Sequence, residues 1–136
     1  MVKVCIDTNV WLSGFAFSGA PSEIVNLAMN KKIGVVTSGF ILKELERNLV
    51  SKIGVHPKKA ANLCFRIAQI SDVYEPKGTV NVIQGNHGDN LVLETAWIGR
   101  AKYLVTGDKK HILPIKIFRN IKIIEPTKLL EVLNLR

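Results

Sequence analysis

Asp7, Glu44, Asp89 and Asp108 are the residues of this 136-residue chain whose types and placement could do chemistry. Asp7 ends the apolar run 2–6 and opens Asp7-Thr8-Asn9. Asp108 follows Tyr103-Leu104-Val105 and closes Thr106-Gly107-Asp108. Glu44 and Asp89 fall within or near the start of expected helices. In a parallel α/β sheet the carboxyl ends of strands form the edge where ligands bind. Carboxylates gathered there repel one another and are tolerable only if a divalent cation or a shared proton neutralises them.

Each acid also has an ordinary explanation. Asp7 at a strand end could form an Asx turn. Asp89 and Asp108 could each cap a helix. Glu44 lies beside an apolar stripe, with Glu46 near the same edge, and helical geometry does not choose between them. The inference rests on the set.

The elements that must position the set follow from the apolar pattern. Residues 2–7 read as a buried strand, with Asp7-Thr8-Asn9 as a turn signal. Ser18-Gly19-Ala20-Pro21 breaks the chain, and a short helix over 22–30 carries Ile24, Leu27 and Ala28. A second strand covers 33–37. Over 40–50, Ile41, Leu42, Leu45 and Leu49 make one helical stripe. Pro57 opens a helix that turns Leu63, Cys64, Ile67 and Ile70 inward. A third strand lies near Val73-Tyr74, and 76–88 is a loop rich in glycine and asparagine. Asp89 precedes a helix bearing Leu91, Val92 and Ala96. Strands four and five cover 103–106 and 121–124, and Pro126 opens a last helix with Leu129, Leu130 and Leu133. The span 109–120, with Pro114, fits no clear element. The alternation predicts a parallel sheet with helices on both faces, in one domain over 1–136.

Composition narrows the class. A hydrophobic fraction of 47% with 22% charged residues is that of a globular protein. No apolar run approaches the length of a membrane span, and the early break at Asp7 argues against a signal peptide. Cys5 and Cys64, both in apolar segments, do not suggest a disulfide scaffold. A cytoplasmic location is expected. The net charge is +8, and setting the four acids aside leaves 19 cationic side chains against seven acidic ones. A basic body around a small acidic centre suits a polyanion held by the body and a metal held by the centre.

The motifs together carry a resemblance. Asp7-Thr8-Asn9 after the first strand, Ser38 with Glu44-Leu45, Asp89 with Glu94-Thr95-Ala96, and Thr106-Gly107-Asp108 resemble the PIN-domain nucleases, in order and spacing, over about residues 3–133. The branch they resemble is the VapC-like toxins of type II toxin–antitoxin systems. The resemblance implies a three-layer α/β sandwich with strands ordered 3-2-1-4-5, which faces Asp7 and Asp108 across the switch point. It selects Glu44 over Glu46. It makes Asp7, Glu44, Asp89 and Asp108 ligands of Mg²⁺ or Mn²⁺, with Asn9 and Thr106 bracing the site. The activity it implies is hydrolysis of RNA phosphodiesters, where a hard cation neutralises the phosphate and acidifies water. It also implies an antitoxin partner and a homodimer.

Other residues are weighed on their own. Lys109 and Lys110 are candidate phosphate contacts. Trp11, Phe15, Phe17 and Trp97 read as core or subunit interface before base stacking. His56, His87 and His111 are scattered, and His87 is the one placed to approach Asp89. Relatives in the toxin branch carry further aspartates just before the third acid, where this chain has Asn86-His87-Gly88. That departure keeps open an alternative, an RNA-binding module with little or no cleavage. A phosphoacceptor domain needs an aspartate ending a middle strand, and a dehalogenase-type phosphatase needs one two residues after Asp7, where Asn9 stands.

Overall fold

A computed structural model describes residues 1–135. The four-residue strand β1 (Lys3–Ile6) sits at its centre. Val4, Cys5 and Ile6 are fully buried, as expected of a strand covered on both faces. In chain order there follow α1 (Thr8–Ala16), α2 (Ala20–Met29), β2 (Gly34–Ser38), α3 (Gly39–Asn48), a π-helical turn (Leu49–Ile53), α4 (Pro57–Ile70) and β3 (Ser71–Tyr74). Then come α5 (His87–Ile98), β4 (Tyr103–Val105), a 3₁₀ turn (Leu113–Ile115), β5 (Ile117–Phe118), β6 (Ile121–Ile124) and α6 (Pro126–Val132).

The sheet order is β3-β2-β1-β4-β6-β5. All pairings are parallel except β5 with β6. The expected order 3-2-1-4-5 therefore holds with β6 as the fifth strand. The addition is an antiparallel edge strand inside 109–120, where the pattern suggested nothing. It is two residues long and turns into β6 through Arg119 and Asn120, both at positive φ, so it leaves no periodic signal. The helices flank the sheet: α5 packs on β1, β2 and β4, while α3, α4 and α6 meet β2, β3 and β4.

Three local readings change. Asp7-Thr8-Asn9 is a helix start rather than a free turn: Asp7 is extended and caps α1 by accepting from Thr8 N at 2.8 Å. α2 begins at Ala20, two residues early, with Pro21 in its first turn. Asp89 stands inside the first turn of α5 rather than before it. Gly14 lets α1 and α2 approach, since a Cβ there would collide with Val25 Cγ2. Trp11 is buried and stacks on Phe15, while Phe17 is 68% exposed. Of the early aromatic residues Trp11, Phe15 and Phe17, Phe17 is the exposed one. Cys5 and Cys64 are free and buried. Among the described residues no helix is long and apolar enough to cross a membrane.

Candidate active site

The parallel pairing of β1 with β4 sets Ile6 beside Val105. The residues that follow each strand, Asp7 and Thr106, therefore meet at the carboxyl edge. Thr106 Oγ1 donates to Asp7 Oδ2 at 2.7 Å and accepts from Asp108 N at 3.1 Å. Asn9 Oδ1 accepts from Gly107 N at 3.3 Å. Both residues expected to brace the site thus tie the first motif to the last.

Asp7, Glu44, Asp89 and Asp108 line one pocket of about 320 Å³, together with Thr8, Asn9, Leu12, Asn48 and Lys52. Glu44 reaches it from α3, whereas Glu46 lines a separate groove with Lys43, Arg47 and Val50. Asp89 comes from the first turn of α5. The larger groove of the molecule, about 550 Å³, is lined by Trp97, Arg100 and Arg119 and carries no acid. It lies at the opposite edge of the sheet, and Trp97, 42% exposed, stacks there under Arg119.

The electrostatics follow from the crowding. Burial pushes Asp7 up to about 6 against the pull of its bonds from Thr106 and Thr8, and Asp89 and Glu44 add to the rise. Burial also raises Asp89, helped by Asp108 and Glu44 and opposed by His111. Asp108 turns Oδ1 to the backbone N–H groups of Lys110 and His111, at 3.0 and 3.1 Å. Its Oδ2 faces His111 Nδ1 at 3.6 Å, and Asp89 Oδ2 lies 3.8 Å from the same nitrogen. Ligand atoms of Asp89, Asp108 and His111 all fall within 4.8 Å of one another. Thr8 lines the pocket, and its buried Oγ1 finds no hydrogen-bond partner. An oxygen-rich, mutually repelling set with an orphaned hydroxyl beside it fits a hard divalent cation.

Three residues in or near the site have roles the sequence did not show. His111 is the histidine at the acids; His87 instead lines a groove with Gly78, Asn81 and Asn86. The three-residue step from Asp108 to His111 was the available signal. Lys52 enters the pocket because α3 continues into the π-helical turn, a junction with no sequence mark. Glu94, 2% exposed, anchors the loop before α5 by accepting from the N–H groups of Lys77, Gly78, Thr79 and Val80 at 2.5–3.2 Å. Asn90 adds Val82 and Ile83. The two lysines after Asp108 are not in the pocket lining; Lys109 lies 3.8 Å from Glu125, and Lys110 contributes its N–H to Asp108.

Comparison with known proteins agrees with this geometry. Residues 3–110 match the family model described as PIN domain. The chain belongs to the PIN-domain family. This PIN domain is 30% identical over 116 residues to the uncharacterized protein MJ1680 of Methanocaldococcus jannaschii, an alignment covering 82% of this chain and 74% of that one. In fold it is similar to a chain of VapBC2 from Rickettsia felis, whose crystal structure is of that complex bound to a DNA fragment from their promoter. The TM-score is 0.61 at 17% identity, covering 91% of this chain and 98% of that chain.

Proposed function

We propose that this PIN domain is a Mg²⁺- or Mn²⁺-dependent endoribonuclease and the toxin of a toxin–antitoxin pair. The observation that carries the reading is one pocket at the carboxyl edge lined by Asp7, Glu44, Asp89 and Asp108, with Asp7 buried and pushed up to about 6. A carboxylate held at that cost is consistent with a cation ligand.

Asp7, Glu44, Asp89 and Asp108 would hold the cation, which when bound neutralises a scissile phosphate and acidifies water. The chain's own residues do the rest. Thr106 and the start of α1 fix the Asp7 oxygens. The Asp108 side chain is oriented by two backbone N–H groups, leaving Oδ2 toward the pocket. Lys52 in the lining, with Lys109 and Lys110 outside it, receives flanking phosphates as point charges. The excess of cationic side chains draws the polyanion in, so RNA affinity falls steeply with salt.

The partner reading rests on the motif resemblance to VapC-like toxins, and the likeness to a VapBC2 chain supports the fold on which it stands. Dimerisation uses the α1–α2 end, where Phe17 is exposed. The deciding experiment maps cleavage of total RNA by the purified chain with Mg²⁺, with Mn²⁺ and with chelator. New 5′ ends that need metal are expected. RNA retention without metal-dependent cleavage would select the binding-module alternative instead.

A further inference from the structure

We infer that His111 is a nitrogen ligand of this metal centre, so that the site discriminates in favour of Mn²⁺, Co²⁺ and similar first-row ions over Mg²⁺. The inference rests on the proposed reading of the four acids as a cation site and adds a ligand to it.

The geometry points there in three ways. His111 Nδ1 stands 3.6 Å from Asp108 Oδ2 and 3.8 Å from Asp89 Oδ2. Both gaps are too long for a hydrogen bond. They suit donors gathered to share one ion, since the ligand atoms of Asp89, Asp108 and His111 all lie within 4.8 Å of one another. Second, the backbone sets the ring where it is. Asp108 Oδ1 accepts from the His111 N–H, and Asp108 O accepts from Leu113 N at 2.9 Å. The turn after β4 is thereby closed, and the imidazole is carried back over the free oxygen of Asp108. Third, Thr8, whose buried Oγ1 has no hydrogen-bond partner, lines the pocket that holds Asp89 and Asp108.

The chemistry gives the ring a purpose. The stretch Asn86-His87-Gly88 supplies no carboxylate beside Asp89. An imidazole adds a donor without adding negative charge to a pocket where four acids already repel. Mg²⁺ takes oxygen ligands and gives up its water reluctantly. Imidazole suits the transition ions, whose affinity for mixed nitrogen and oxygen sites rises from Mn²⁺ to Co²⁺.

Binding, rather than cleavage, tests this. Mn²⁺ is added to the full chain and to His111→Ala and His111→Gln, and pulsed electron paramagnetic resonance looks for ¹⁴N coupling to the ion. Calorimetric titrations with Mn²⁺, Co²⁺ and Mg²⁺ run in parallel, and circular dichroism checks that each variant folds. The unmodified chain should show ¹⁴N coupling that both variants lack. Co²⁺ and Mn²⁺ affinity should fall about tenfold or more in the variants, a loss of the size that accompanies a disturbed ligand shell. Mg²⁺ affinity should change by much less. Mn²⁺ bound without ¹⁴N coupling, or equal losses for Mg²⁺ and Mn²⁺, would overturn the inference and leave the four-acid reading standing. No Mn²⁺ binding by the unmodified chain would remove both. If His111→Ala does not fold, the ¹⁴N signal of the unmodified chain and the His111→Gln titrations still decide.

Discussion

Asp7 and Glu94 are both buried carboxylates, and the protein treats them in opposite ways. Glu94, in the middle of α5, collects four backbone N–H groups from the loop it anchors. Burial works to raise it, yet those bonds outweigh the penalty and hold it below the usual range. Asp7, at the carboxyl edge of β1, has one N–H and one hydroxyl and faces other acids, and it rises to about 6. The fold can satisfy a buried carboxylate when its own packing is at stake. Where it leaves one short, as at Asp7, the carboxylate stands where the proposed cation would supply the missing partner.

The sharpest way to break this comparison is Asp7→Asn. The amide keeps the shape and can still accept from Thr8 N, but it removes a hard anionic ligand. RNA cleavage should fall by roughly 10²–10³, the usual cost of losing one preorganised group at a charged transition state. Retained activity would remove Asp7 from the site.

The same variant should gain stability without metal. The folded value of Asp7, about 6, lies above its ordinary 3.8. Its contribution is therefore fully present below pH ~4 and lost as pH rises through about 6. At neutral pH that loss is at most about 3 kcal/mol. Metal-free melts across pH 4–8 should show the Asp7→Asn protein overtaking the unmodified one as pH rises, and parallel curves would contradict the burial argument.

Glu94→Gln tests the other side. It weakens charge-assisted bonds to a ring of amides and places an NH₂ group against donors, which should cost about 2–3 kcal/mol in denaturant unfolding. Amide exchange should quicken at 77–80. The sign of the pH effect is opposite: Glu94 stabilises above its ordinary 4.5, and that stability is lost as pH falls through its lowered folded value. Unchanged exchange at those amides would mean the loop does not depend on Glu94.

The smallest effect is expected from Gly88→Asp, which restores a carboxylate near Asp89. A Cβ there would lie 3.1 Å from Phe40 Cζ, so the half-buried ring must shift by a few tenths of an ångström. The Mg²⁺ concentration for half-maximal cleavage should drop a few-fold, because another anionic oxygen attracts a hard cation. No drop would mean that Asn86-His87-Gly88 does not limit metal occupancy.

Much of this was legible in the residues. The apolar run 2–6 and the stripe of Ile41, Leu45 and Leu49 mark elements because burial imposes a period. The order of strands came from the resemblance, since periodicity does not say which strands are neighbours. What stayed hidden depends on that order. His111, in the turn after β4, meets Asp89 in the first turn of α5, a proximity that sequence distance conceals. The role of Glu94 was hidden too. Glu94 was visible only as part of Glu94-Thr95-Ala96, and its four amide partners lie 14–17 residues earlier in a loop without pattern.

The Asp7–Thr106 bond spans 99 residues, and that span has a consequence in time. Asp7, Glu44 and Asp89 are all synthesised before β4 exists. At about 5–20 residues per second, Asp7 waits roughly 5–20 s for Asp108. Until β4 docks beside β1 there is no hydroxyl to fix Asp7, no turn to aim Asp108 and no ring from His111. A ribosome-arrested chain ending before residue 103 should therefore leave RNA intact, and one that exposes residues through the turn at 106–111 should be the first able to cut. The acidic edge is assembled in one late step, so on the proposed activity the growing chain would not attack the message and the ribosome that are making it.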